Sequence, residues 1–411
     1  MSSCSCDRRE TLIQRRPITF QTPTARPLSR TRAPLVPETA AGARADVRVD
    51  GTAIAYRLYD IGYAIALDRV ASLLGPVAER VRPGRSEAQA LQIKNPPLFA
   101  ALGTERIAIG DAEYSVAVSV RLFDFGVCSL QLRVVAPAEL PWDAFSAFGT
   151  ALDASPELAA IFDRQLVALL ERIRPAIDRP ALAPVVEEYV VFRINRLTDT
   201  GGNPVASEVL TDEHLVPLLL HEGRRLSADA RRELLPHRFS YYADDLTILT
   251  WDNALIVEPR AEDRDVEYIL EFANAQLLEL RVYDAVLDAE LPTMYERIAA
   301  ARQRVRPLPT WRYRPLLAEL QTRVADVTET VERVENALKV TDDVYLARIY
   351  VAALELFRGT AWRRGIERKL SIFRETYAML NAEAQSARSE LLEIAIILLI
   401  VAEIVLSITR G

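Results

Sequence analysis

The sequence predicts an α+β body of two related subdomains with antiparallel strands, then a long α-helical coiled-coil region and a C-terminal transmembrane helix. Three observations carry this. Over residues 47–305, short β-like apolar runs alternate with helical stretches in two successive blocks. From residue 306 the strand signals stop and apolar residues step by four and three. Residues 391–408 read LLEIAIILLIVAEIVLSI, and a helix of about 18 residues is about 27 Å long, close to a hydrocarbon core of about 30 Å.

The elements follow in order. Residues 1–46 carry Arg8, Arg9, Arg15, Arg16, Arg26, Arg30, Arg32 and Arg44 among Ser, Thr and Pro, with little apolar content, and predict a disordered tail. Residues 47–180 form the first subdomain. Its strands are expected at 52–58, 106–109, 114–121 and 123–135, with a hairpin turn at Gly110-Asp111. Helix follows over 142–177, interrupted at Ser155-Pro156, where Pro suits a first helical position.

Residues 181–305 form the second subdomain, with strands at 185–196, 238–242, 246–251 and 254–258 and a helix over 266–291. In the coiled-coil region, 306–390, Leu320, Val324, Val327, Val331, Val334, Leu338 and Thr341 make a heptad seam. Thr341-Asp342-Asp343 caps a new helix. A third helix keeps the 4/3 spacing from Ile366 through Leu370, Phe373, Leu398 and Val401 to Ile408.

The apolar end is expected to anchor the chain in a membrane once, with the body on the cytoplasmic side rather than at an organellar inner membrane. Thirteen Leu, Ile and Val residues contribute roughly −4 to −8 kcal/mol of insertion free energy. A carboxylate near the centre opposes this by about 3 kcal/mol. Glu393 and Glu403 are the two acids in the segment, and Glu403 is nearly opposite the seam.

The net charge of −7 argues against a nucleic-acid partner. Thirteen carboxylates between Asp244 and Glu290 face only Arg260, Arg264 and Arg281. Cys4, Cys6 and Cys128 make no disulfide framework. No catalytic, cofactor-binding or metal-binding residues are assigned. His214 and His221 are seven apart rather than at a zinc-helix spacing, and read as partly exposed helical residues. Gly201-Gly202 lacks the lysine of a phosphate-binding loop. Asp244 and Asp245 read as a turn between strands. The basic cluster Arg363, Arg364, Arg368 and Lys369 suits an acidic protein surface, with Asp244 and Asp245 as its counterparts in a partner-binding role.

Four stretches resemble the "required for meiotic nuclear division" (YagE-like) family, a group with a conserved domain of unknown function. They are RLFDFGVCSL at 121–130, FSYYADDLTILTWDNALIVEP at 239–259, LEFANAQLLELRVYDAVLD at 270–288 and SELLEIAIILLIVAEIVL at 389–406. The resemblance implies membrane-associated proteins without established enzymatic activity. Its mitochondrial member implies self-assembly and support of organellar translation.

The functional expectation is a non-enzymatic, membrane-anchored scaffold that forms a homo-oligomer through its heptad helices and recruits a protein or ribonucleoprotein partner. Two alternatives stand beside it. One is an enzyme of unrecognised class, with a site between the subdomains near Asp124, Tyr242, Asp244 and Asp245. The other is a soluble coiled-coil oligomer whose apolar tail is buried in its own bundle.

Overall fold

Strand β1, Arg48–Asp60, is buried along nearly its whole length because its residues supply two different cores. Ala53 and Ala55 face one, while Ile54, Tyr56 and Leu58 face the other, the two-residue period of a strand covered on both sides. A computed structural model describes residues 47–80, 95–222, 226–303 and 343–410, with residues 318, 322 and 325. The tail over 1–46 and the heptad seam residues Leu320, Val324, Val327, Val331, Val334, Leu338 and Thr341 lie outside the described residues.

The strands are β1, β2 (Gly62–Ile65), β3 (Ala78–Arg80), β4 (Leu98–Ile109), β5 (Ala112–Leu122), β6 (Val127–Val135), β7 (Leu140–Pro141), β8 (Ile177–Pro180), β9 (Val186–Thr198), β10 (His237–Phe239), β11 (Leu246–Leu249) and β12 (Asn253–Val257). Ten of them make one mixed sheet, β10-β11-β12-β9-β1-β6-β5-β4-β3, with β7 added on β1; β2 and β8 pair separately. Among the described strands only β12 and β9 run parallel. The helices are α1 (Leu67–Leu74), α2 (Trp142–Asp153), α3 (Pro156–Ile173), α4 (Asp212–Leu220), α5 (Ala228–Leu234), α6 (Asp265–Gln303), α7 (Val344–Leu356) and α8 (Gly359–Arg410).

The expectation of two subdomains is corrected. At the centre of the sheet β1, from the first block, pairs with β9, from the second, in a register that includes Ala53 with Phe192 and Tyr56 with Tyr189. Both strands are apolar on both faces, so each needs a neighbour on either side and a helix layer above and below. Two half-sheets would leave these long, buried strands as open edges.

Helices α1–α4 cover one face. Gly51 lets α2 lie close, because a Cβ there would stand 2.7 Å from the Phe145 ring. Helices α6 and α7 cover the other face, where Ile269, Phe272, Leu277 and Ile349 join Ile54, Leu58 and Val191. Each such buried side chain contributes about 1.5–3 kcal/mol.

The expected strand 123–135 is also corrected at its start. Phe123 to Gly126 form a tight loop, and the strand begins at Val127. Gly126 has φ +104°, and a Cβ there would lie 2.0 Å from the Gly62 carbonyl oxygen. Only glycine combines that backbone with that approach.

Asp343 caps α7 by accepting the Tyr345 and Leu346 N–H groups at 2.8 and 3.0 Å. The turn into α8 falls at Arg358, with φ +54°. The seam residues Ile366, Leu370 and Phe373 of α8 pack on Leu280, Leu287, Met294 and Ile298 of α6. Lys369 clamps the pair, 2.6 Å from both Asp284 and Asp288. Lys369→Met should cost about 1 kcal/mol, since the clamp is partly solvated. The loss should shrink in high salt, and urea unfolding at two salt concentrations would show whether it does.

The transmembrane expectation, with its single-pass anchor and cytoplasmic body, is corrected as well. Among the described residues no helix is long and apolar enough to cross a membrane. Glu393 and Glu403, expected as membrane-segment acids, are exposed.

Candidate functional site at the sheet–helix interface

Helix α6 contains the sequence VEYILEFANAQLLEL, in which Glu267 and Glu271 sit one turn apart among mostly apolar residues. Four residues apart, they share a face, and that face lies on the sheet. Both are buried, so each carboxylate must find charged or hydrogen-bonding partners there.

The strands supply them. Glu267 accepts from Arg133 of β6 at 2.5 Å and from Arg193 of β9 at 2.8 Å. Glu271 accepts from Gln131 of β6 at 2.7 Å and pairs with Arg121 of β5. Arg193 also donates to the carbonyls of Asp263 and Arg260 at 2.6 and 2.7 Å, tying down the loop that enters α6. The Arg121 guanidinium lies 4.7 Å from the centre of the Tyr268 ring, a cation–π contact. Tyr56 of β1 lies among these charges. Burial first, and Glu267 next, push its hydroxyl above the ordinary tyrosine value, while Arg133, Arg121 and Arg264 pull the other way.

Further along α6, Arg281 pairs with Glu187 of β9. At the other end of β1, Asp60 is buried and its Oδ1 accepts the Gly62 N–H at 3.1 Å. Burial pushes its carboxyl up to about 7, against the lowering effect of that hydrogen bond.

The residues singled out in the sequence do not converge. Asp244 is exposed. Asp245 is buried and closes its own turn, its Oδ1 accepting the Tyr241 N–H at 2.8 Å. Tyr242 is exposed and lies under Arg260. Asp124 accepts from Asn95 at 2.8 Å. It precedes Val127, which pairs with Asp60, whereas Asp245 precedes Leu246, which aligns through Val257 and Ile194 with Gly51. Gly51 to Asp60 is about 30 Å of strand, so Asp124 and the acids at 244–245 lie at opposite ends of the sheet.

Of the basic cluster, Lys369 is engaged with α6, and Arg364 and Arg368 are exposed. Arg363 is half-buried, and its charge acts on the Tyr350 hydroxyl. His214, expected to be partly exposed, is instead buried and shares a capping box with Thr211. Cys128 is buried, which raises its thiol well above the ordinary value. Among the described residues no group of His, Cys, Asp and Glu is placed to hold a metal ion.

Sequence reasoning missed Arg133, Arg193, Glu267 and Glu271 as a set. The available signal was a pair of acids four apart in an apolar helix, together with single arginines inside apolar strands.

The fold and this interface define an α+β protein in which a ten-stranded mixed sheet is joined to a long helix by buried ion pairs. The family described as "Uncharacterized protein MJ0711, N-terminal domain" matches residues 50–264, and the chain belongs to it. The matched segment runs from β1 to the residue before α6, so it includes the three strand arginines and excludes both glutamates. The uncharacterized protein MJ0711 of Methanocaldococcus jannaschii is 26% identical over 225 residues, covering 55% of this chain and 67% of that one. No solved structure matches.

Proposed function

We propose that this protein is a non-enzymatic scaffold that self-associates through its C-terminal helix and recruits a protein or ribonucleoprotein partner through its α+β body. The observation that carries the reading is the contrast along α8. The seam is buried against α6 at Ile366, Leu370 and Phe373. Beyond the reach of α6 the helix exposes Ile396, Leu398, Leu399, Val401 and Ile408 at 56%, 63%, 69%, 51% and 75%. An apolar surface of that extent is more than a monomer ordinarily leaves in water. Pairing with the same helix of another copy would cover it and continue the packing that α6 begins.

Light scattering on the full chain tests this. A mass above 46.0 kDa that falls to the monomer value in Leu398→Glu/Val405→Glu supports the reading. A monomer at micromolar concentration sinks it, and so does co-sedimentation with lipid vesicles in place of self-association.

A further inference from the structure

Aromatic side chains gather where the chain turns from β10 into β11. Phe239 ends β10, and Tyr241 and Tyr242 follow it in the turn. Tyr345, in the first turn of α7, comes up beside them. The centre of the Tyr241 ring is 4.8 Å from that of Tyr242 and 5.5 Å from that of Tyr345. At such spacings the rings touch, so the three tyrosines form a ridge rather than a cage around a small ligand. Tyr241 and Tyr242 are more than half exposed, and Val344, next to Tyr345, is exposed too.

Hydrogen bonds fix the ridge. The buried Asp245 carboxylate accepts the Tyr241 N–H at 2.8 Å, and the Ser240 hydroxyl donates to the Tyr242 carbonyl at 2.7 Å. The Asp343 cap sets the start of α7, and the Tyr345 hydroxyl lies 3.4 Å from that of Thr247. Tyrosines presented in a fixed arrangement lose little entropy when a partner covers them, and exposed Tyr is a side chain on which protein interfaces concentrate their energy.

The charge around the ridge names the partner's chemistry. Arg260 lies 5.3 Å from the centre of the Tyr242 ring. It is held there by Glu258 at 3.1 Å and Asp263 at 3.0 Å. On the other side Arg348 lies 5.8 Å from the centre of the Phe239 ring. An arginine stacked on an aromatic face with carboxylates at its edge is therefore the contact this surface already makes with its own side chains. Acids remain to make more of them. Asp244, two residues after Tyr242, and Glu262, two after Arg260, are exposed, and neither pairs with a basic side chain among the described residues. The same carboxylates repel the phosphates of a nucleic acid.

We propose that the ridge of Tyr241, Tyr242 and Tyr345, with Asp244 and the carboxylates around Arg260, docks an arginine-bearing segment of a partner protein. Arginine fits better than lysine because its planar guanidinium stacks on a tyrosine face and still offers two N–H groups to a carboxylate. The inference rests on the scaffold reading and deepens it by naming the surface of the body that recruits.

The probe is a short fluorescent peptide alternating arginine and serine, titrated with the full chain and followed by anisotropy. It should bind saturably, and more tightly than the peptide with lysine in place of arginine. Tyr242→Ala should weaken binding about tenfold. Asp244→Asn, at an exposed position where folding is not at stake, should weaken it about threefold. Glu171→Gln, which removes an exposed acid on α3, should bind as the wild type does. Failure of the arginine peptide to bind overturns the proposal. Equal binding of the two peptides does so too, as does an equal loss in Asp244→Asn and Glu171→Gln, which would mean diffuse charge rather than a docking surface. Light scattering separates this from the scaffold reading: self-association without peptide binding overturns the ridge alone, and a monomer that binds the peptide overturns self-association alone.

Discussion

Replacing Glu267 with alanine should lower the free energy of unfolding by about 3–5 kcal/mol, the usual cost of removing one partner from a buried ion network. The cause is less the lost attraction than what remains: Arg133 and Arg193 keep their charges at the interface with no carboxylate between them. Arg193 is the more affected, with its side chain 3% exposed. Glu267→Gln keeps the shape and one acceptor oxygen, so it should cost about 1–3 kcal/mol. In a double-mutant cycle with Arg193→Met, the paired replacement should be milder than the sum of the singles by about 0.5–3 kcal/mol. Urea unfolding followed by far-ultraviolet circular dichroism measures all four proteins. If Glu267→Ala lies within about 1 kcal/mol of the wild type, the network does not hold α6 to the sheet.

Asp60→Asn should make the protein more stable, and increasingly so as the pH rises. In the folded chain the Asp60 carboxyl is pushed up to about 7 from its ordinary value of 3.8. The unfolded chain therefore gives up its proton first, and between about pH 4 and 7 unfolding releases a proton. Stability tied to this group is fully present below about pH 4 and is lost as the pH rises through 7. Over the full window the loss is about 4 kcal/mol, and from pH 5 to 8 about 3 kcal/mol. Asparagine has no such titration and still offers Gly62 an acceptor oxygen. The advantage of Asp60→Asn over the wild type should thus grow by about 3 kcal/mol between pH 5 and pH 8. Parallel pH profiles for the two proteins would show that Asp60 ionises in the folded state as freely as in the unfolded one.

These two sites differ in how far the sequence announces them. Glu267 and Glu271 stand out in an apolar helix, because an acid on a buried face must have partners, but nothing local says which. Their partners are 134 and 150 residues away in sequence, set beside α6 only by the order β9-β1-β6-β5 in the sheet. Asp60 gives no signal at all. A single acid ending a strand reads as a surface turn, and its burial comes from the approach of the Gly126 loop and the chain at 181–183.

The sequence by itself determined the local elements. Alternation along TAIAYRL and YSVAVSVR, the Gly110-Asp111 turn, the Asp343 cap and the 4/3 seam from Ile366 are written in neighbouring residues, and local geometry reads them directly. Tertiary structure alone decided how those elements share partners. Strands from both blocks merged into one sheet because β1 and β9 each bury two faces. The apolar end of the chain, which suggested a membrane anchor by composition, became the exposed end of a helix whose upstream seam is held by α6. Strand pairing and charge pairing join residues far apart in the chain, and no periodicity within one segment records which distant surface will complete it.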